Sequence, residues 1–445
     1  MKITFIRPNM TDMRSSDAMQ PLVFSILAGL TPPQIEIGFF DERLEQIPFD
    51  EPTDLVAITV ETFTARRAYQ IAQRFRQQGV PVVMGGYHPT FAPEEALSYA
   101  DAVVIGDAED LWKKVVEDTQ VGKLQGIYQQ SGQPSLEGLR MDRSIFHGKR
   151  YVSVIPVQYG RGCRYACDFC SIHAFYGADL RQRPVSEFVA EIEALDRRHF
   201  FLVDDNIFVN IPKAEELFRS LIPLNIHWSC QVSIDIANNS QLLSLMEKSG
   251  CIAAVIGFES LNEDNLKQMK KKWNLRHGDY ATSVRKFQDH GIMIYGSFVF
   301  GYDYDTVDSF DISVEFAFRS KFCLANFNPL TPTPGAKLYD RLAKEGRLIH
   351  DRWWLDPNYR YGHATFHPKG MTADELTAGC FRARREFNGY GSIFSRAFES
   401  KTNCRNLTRM GIYLAANFIS RREILRKQGL HFGDKSLIDA KLEIT

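Results

Sequence analysis

No stretch of this chain approaches the roughly 20 apolar residues that a membrane-spanning helix needs. The longest apolar segments, residues 22–30 and 410–419, are about half that length and carry small or polar interruptions. The opening Met-Lys-Ile-Thr-Phe-Ile-Arg-Pro is too short an apolar run for a signal sequence and reads as a first β-strand. The chain also lacks a charge surplus. Lys and Arg number 53 against 54 Asp and Glu, so coating nucleic acid is not its expected role. There is no internal repeat and no low-complexity tract, and 44% hydrophobic with 24% charged residues is a globular balance. Together these absences predict a folded, soluble, cytoplasmic protein of two or three domains. In that reducing compartment its 8 cysteines are poor candidates for disulfides.

Strand and helix signals alternate along most of the length. Residues 3–6, 36–40, 55–60, 80–84 and 102–105 are short β-rich runs, several apolar throughout, as strands buried on both faces are. Between them residues 65–78 carry Ala68, Ile71, Ala72 and Phe75 at helical spacing, and 93–99 and 109–116 read as further helices. A doubly wound parallel domain over 1–140 follows, with ligands beyond the carboxyl ends of its strands. Gly85, Gly86 and Gly106 fall at such ends. They either admit a close ligand or simply make tight turns.

Residues 120–150 read as a connector. Alternation then resumes six times, with strands at 154–159, 200–203, 226–232, 252–256, 292–300 and 322–328. Helices are expected at 185–195, 213–221, 240–248, 264–271 with 280–290, and 307–318. Phe188, Ile192 and Leu195 form the stripe of a helix laid on a sheet. Six units over 150–340 make a partial barrel whose site lies at the strand carboxyl ends. Residues 341–445 are expected to form a helical, aromatic, basic extension.

The sharpest feature is Cys163-Arg-Tyr-Ala-Cys167-Asp-Phe-Cys170, a C-x3-C-x2-C run after the first strand of the second unit. Random scatter of the cysteines would give this spacing with a probability of only ~0.002. Such thiolates hold a soft metal. With His173 they make a Cys3His zinc set, the basis of a binding or regulatory module. Alone they suit an iron–sulfur cube with one iron left open. Cys230, Cys251, Cys323, Cys380 and Cys404 lie singly and read as small core residues.

The cysteine run at the head of a partial βα barrel, with Phe169 before the third cysteine, resembles the radical S-adenosylmethionine superfamily. The resemblance implies a 4Fe–4S cluster on Cys163, Cys167 and Cys170, with S-adenosylmethionine chelating the fourth iron. Reductive cleavage then gives a 5′-deoxyadenosyl radical that abstracts hydrogen from a substrate. By the same resemblance, Asp204 and Asp205, Gln231 and Ser233, Gly257, Glu259 and Ser260, and Gly301 end successive strands as S-adenosylmethionine contacts. A flavodoxin- or ferredoxin-type protein is the implied electron donor.

A doubly wound domain ahead of such a barrel resembles the cobalamin-binding subfamily. Gly85-Gly86-Tyr-His-Pro-Thr90, Asp101–Glu109 and Asn328–Gly335 carry that likeness. It implies cobalamin near Thr59, Gly85, Gly86 and Gly106, and methyl transfer to an unactivated carbon. Oxidation, cyclisation and rearrangement are the alternatives. One departure stands out. Cobalt-ligating domains use Asp-x-His-x-x-Gly, and this chain has Asp41-Glu-Arg43-Leu-Glu-Gln46. A guanidinium cannot replace imidazole as a ligand. His88, a turn residue beside proline, reads as structural rather than as a substitute.

In the extension, Trp353, Trp354, Tyr359, Tyr361, His363, Phe366 and His367 resemble a cap over the barrel mouth, lining a pocket or packing the cap. Residues 381–445 hold 13 Lys/Arg and 6 Asp/Glu. This basic surplus suits an anionic or apolar small-molecule substrate or peripheral membrane contact, with a solvated face as the plain alternative.

Overall fold

The computed structural model describes all residues except Gln130, Val209, 276–278 and 435–445. Six parallel strands form the first sheet: β1 (Lys2–Arg7), β2 (Glu36–Asp41), β3 (Leu55–Thr59), β4 (Val82–Gly85), β5 (Ala102–Val104) and β6 (Ile127–Tyr128). Their order is β2-β1-β3-β4-β5-β6, so the winding direction reverses between β1 and β3, and a ligand crevice is expected there. β3 is apolar because helices cover both of its faces, and Leu55, Val56, Ala57 and Ile58 are all buried. The helical stripe read from sequence holds: in helix Ala65–Gln77, Ala68, Ile71, Ala72 and Phe75 are buried. β6 falls within the expected connector. Two residues are too few to display a period, yet Val103 and Val104 of β5 pair with Ile127 and Tyr128.

The second sheet contains β7 (Ile155–Val157), β10 (His199–Leu202), β11 (His227–Val232), β12 (Cys251–Glu259), β13 (Met293–Phe300) and β14 (Leu324–Pro329). A short antiparallel pair, β8 (Gly160–Arg161) and β9 (Arg181–Gln182), brackets the cysteine loop. The strands run in parallel order β14-β13-β12-β11-β10-β7, six units side by side with no pairing between β14 and β7. That is the partial barrel expected. Phe188 and Ile192 are buried and Leu195 packs partly beneath them.

The extension departs from expectation. Helix Lys337–Lys344 is followed by an irregular stretch before helices Ala373–Phe387, Tyr390–Ala397 and Leu407–Lys427. Trp353, Trp354 and Tyr359 do not cap the barrel. With Phe432 they enter the core of the first sheet, beside Ile58, Ala68 and Tyr99. Phe366 instead joins the barrel core. The indole N–H groups explain why this irregular backbone can be buried: Trp353 donates to the Pro332 carbonyl (2.8 Å) and Trp354 to Glu95 (2.9 Å). Farther along, Gly433 N–H donates to the Met10 carbonyl at 3.0 Å.

Candidate functional site

The cysteine loop leaves β8 through Gly162, whose φ is +97°. A Cβ there would lie 2.1 Å from the Asp179 carbonyl, so only glycine lets the two arms of the loop pass. Asp205 accepts from Gly162 N–H at 2.8 Å and fixes the start of the loop. Cys163, Cys167 and Cys170 are unpaired and partly buried. Burial raises all three thiols, Cys167 to about 12, while the Asn206 amide and the loop amides pull Cys163 the other way. Buried thiols of this kind ionise when a metal centre supplies positive charge, so the donor set fits a cluster. Among the described residues no three His, Cys, Asp or Glu side chains converge on a single point as one ion requires. A cube gives each thiolate its own iron, so convergence is not needed.

The strand ends around the loop carry polar groups, though not all face it. Asp204 is buried and accepts from the backbone amides of Tyr159 (3.1 Å) and Gly160. Both of its oxygens are engaged in holding the turn into β8. Its expected place among the S-adenosylmethionine contacts would have to share those oxygens with the two amides. Burial pushes its carboxyl up to about 7 against those two amides. Ser233, just past β11, accepts from the Asn206 amide at 3.0 Å, and Gln231 is half-buried in the strand.

At the end of β12, Gly257 and Glu259 act together. A Cβ on Gly257 would meet Glu259 Oε1 at 2.1 Å and Lys271 Nζ at 2.8 Å, so the glycine makes room for that pair. Lys271 Nζ binds Glu259 Oε1 at 2.7 Å and the Gly257 carbonyl at 2.8 Å. Burial works against the ammonium, but Glu259 and the nearby Cys167 and Cys170 more than offset it, and its pKa lies above the ordinary lysine value. Glu259 sits at φ +60°, where the β12–β13 ladder slips. A non-glycine residue held there marks a backbone fixed by its surroundings. Ser260 is buried and accepts from Asn265 at 3.3 Å. After β13, Gly301 (φ +111°) and Tyr302 donate their N–H groups to Asp305 at 2.9 and 3.1 Å.

Lys271 and Tyr302 escaped the sequence reading, whereas Asn206 belongs to the Asp204-Asp205-Asn206 segment expected to contact the methionine portion of S-adenosylmethionine. Tyr302 donates its hydroxyl to Asp168, inside the cysteine run, at 2.5 Å. The Lys270-Lys-Lys272 run was the available signal for Lys271, but a charge run ordinarily marks a solvated face.

A cavity of about 430 Å³ lies between the carboxyl ends of the two sheets. Thr59, Gly85, Gly86 and Gly106 line it from the first sheet, and Gln158, Arg161 and Val203 from the second. Gly106 has φ +84° and nothing within 4 Å of where a Cβ would stand, leaving bare backbone toward the cavity. Arg43 also lines the cavity, but its guanidinium is fastened to Asp41 through Nε (2.9 Å) and Nη2 (2.6 Å). No cobalt ligand comes from that position. His88 is buried, with Nε2 between Tyr69 (3.1 Å) and Glu95 (3.0 Å), and it does not line the cavity. Its structural reading therefore holds. A glycine floor at the crevice of a doubly wound sheet fits a corrin approached by backbone. Arg161 joins the two sides, binding Asp107 (3.2 Å) and Glu109 (2.7 Å) from the cysteine-loop hairpin.

Comparison with known proteins agrees with this geometry. Residues 157–317 match the model of the Radical SAM superfamily, and residues 25–116 match the B12 binding domain. The chain is 31% identical to the bacteriochlorophyllide d C-12(1)-methyltransferase of Chlorobaculum tepidum, covering 86% of this chain and 85% of that protein. The hopanoid C-2 methylase of Rhodopseudomonas palustris is 26% identical, over 75% of this chain and 66% of the relative. Among solved structures, the radical S-adenosylmethionine methyltransferase TsrM from Kitasatospora setae superposes with a TM-score of 0.63. That match has 14% identity and spans 96% of this chain and 98% of TsrM. The chain is a radical S-adenosylmethionine enzyme, and it belongs to the branch of that superfamily whose barrel follows a B12-binding domain.

Proposed function

We propose that the protein methylates an unactivated carbon of a small molecule that presents extended apolar ring surface. The relatives named for bacteriochlorophyllide d and hopanoids support that substrate class. The observation that carries the reading is the glycine floor of the cavity between the two sheets, whose facing wall includes Arg161, Phe175 and Tyr176 on either side of the cysteine run, with Arg161 tied to Asp107 and Glu109. When bound, the cluster with S-adenosylmethionine supplies hydrogen-atom abstraction, and cobalamin supplies the methyl group.

The chain's own residues divide the remaining work. Cys163, Cys167 and Cys170 hold the cluster, and Asp205 and Asp204 fix the loop that presents them. Asn206 and Ser233 orient polar atoms beside Cys163, and Gln231 lies on the same side. Glu259, positioned by Lys271 and given room by Gly257, faces the nucleoside end of S-adenosylmethionine with Ser260. Gly301, its N–H held by Asp305, would flank the adenine. Thr59, Gly85, Gly86 and Gly106 would support the corrin. A flavodoxin- or ferredoxin-type donor supplies the electron.

The test is anaerobic turnover of the reconstituted enzyme with a bacteriochlorophyllide substrate and a one-electron reductant. Methylated product should appear with one S-adenosylhomocysteine and one 5′-deoxyadenosine each. Deoxyadenosine without S-adenosylhomocysteine would replace methyl transfer by an oxidation or cyclisation.

A further inference from the structure

Helices Tyr390–Ala397 and Leu407–Lys427 pack side by side, and the outer side of the pair is apolar. Tyr390 is 57% exposed, Phe394 51%, Phe398 76% and Phe418 41%. Among the described residues these three phenylalanines are the only exposed ones. The Phe418 ring lies 6.3 Å from Tyr390 and 6.5 Å from Phe394, so the rings form one cluster. Phe398 follows one turn beyond Phe394.

The long helix is unusual on its own. Leu407, Gly411, Ala415 and Phe418 fall along one exposed stripe, at spacings of three and four residues. A helix on a globular surface ordinarily turns charged residues outward there. Its opposite side is already occupied, with Tyr413 and Asn417 buried against the barrel. The outer stripe is therefore not needed for the fold, and contiguous aromatic surface of this kind marks contact with another body.

Charge says what that body is. Residues 381–434 hold 11 Lys/Arg against 4 Asp/Glu, of which Arg384 and Arg396 are buried and Arg382, Lys401 and Arg405 pair with acids of the barrel. Arg421 stacks its guanidinium 4.2 Å over Tyr390. Arg422 beside it is exposed, as is Arg385 at the end of the preceding helix. We propose that this face docks peripherally on an anionic lipid surface. The aromatic rings enter the headgroup boundary, and the arginines meet the phosphates. No helix of the described chain is long and apolar enough to cross a membrane, so the contact is with one leaflet. A second copy of the chain fits less well, because a two-fold pairing sets the same arginines against one another.

The experiment is co-sedimentation of the full chain with vesicles of phosphatidylcholine alone and of phosphatidylcholine with phosphatidylglycerol. Binding should be at least about tenfold stronger to the anionic vesicles and weaken with salt. The variant Phe394→Ser/Phe398→Ser/Phe418→Ser should lose binding while keeping the wild-type circular dichroism and thermal midpoint. As a second readout that leaves the patch apolar, Phe398→Trp should show emission shifted to the blue, relative to the vesicle-free protein, on adding anionic vesicles. The proposal is overturned if the wild type does not sediment with anionic vesicles, if the triple variant binds as well as wild type, or if the emission of the Phe398→Trp variant does not move. A wild-type dimer that the triple variant dissolves would assign the face to a second copy instead.

Discussion

Both parallel sheets send strand ends to one cavity, the second only through β7 and β10, and the two sets of strand ends are built in opposite ways. The first sheet offers backbone: Gly85, Gly86 and Gly106, with Arg43 tied back to Asp41. The second offers side chains: three thiols, the Glu259–Lys271 pair and a set of carboxylates that hold the loops. A large planar group needs clearance, which glycine provides by lacking a Cβ. A small, highly charged cluster needs donors and fixed counter-charges. The difference teaches that a cofactor's size and charge decide whether its site is written as side chains or as their absence.

Four sets of substitutions would break or sharpen that contrast. The largest effect belongs to Cys163→Ala, Cys167→Ala or Cys170→Ala. Each should remove the brown chromophore and cut 5′-deoxyadenosine formation more than about a hundredfold, beyond the loss typical of outer-shell changes. Cobalamin retained through gel filtration should be unchanged. Coupled loss of both would mean the two ends are one site.

Next is Lys271→Met, which leaves Glu259 buried and unpaired. A loss of about 3–5 kcal/mol in urea unfolding is expected, and Lys271→Met/Glu259→Gln should recover much of it. Retention of wild-type stability by the single variant would show that the pair does not form. On the first sheet, Gly106→Ala should cost about 1–2 kcal/mol through its positive φ. It should also lower corrin retention about tenfold, the equivalent of ~1.4 kcal/mol, with iron content unaffected. Corrin retention equal to wild type would exclude this glycine from the floor.

The last prediction concerns a pH slope at Asp204. Its carboxyl rises on folding from 3.8 to about 7, so the folded state takes up a proton. That contribution is fully present below about pH 4 and is lost as pH rises through 7. Asp204→Asn should therefore lose less stability than wild type between those values, measured by thermal unfolding across pH. An unchanged slope would place the proton elsewhere.

The same contrast governs what the sequence reveals. Cys163, Cys167 and Cys170 announce themselves because soft ligands are rare and their spacing is improbable. The parallel sheets are legible for a similar reason, since runs such as Leu55–Thr59 are apolar without alternation. The glycine floor is visible only as strand-end punctuation, which a turn would share. Lys271 hides inside a run that looks solvated, and nothing in the sequence points Asp204 to its two amide partners. Trp353 and Trp354 were recognisable as buried aromatics, but the Glu95 that receives the Trp354 indole lies 259 residues away along the chain. Pattern along a chain carries no information about such a return.

That return has a consequence for synthesis. The first sheet leaves the ribosome early, yet its helical face is closed by Trp353, Trp354, Tyr359 and Phe432, which emerge late. Until residues 353–432 have been made, that face stands open with Ile58 and Tyr69 unsheltered. A nascent chain stalled before residue 353 would thus present that open apolar face to chaperones.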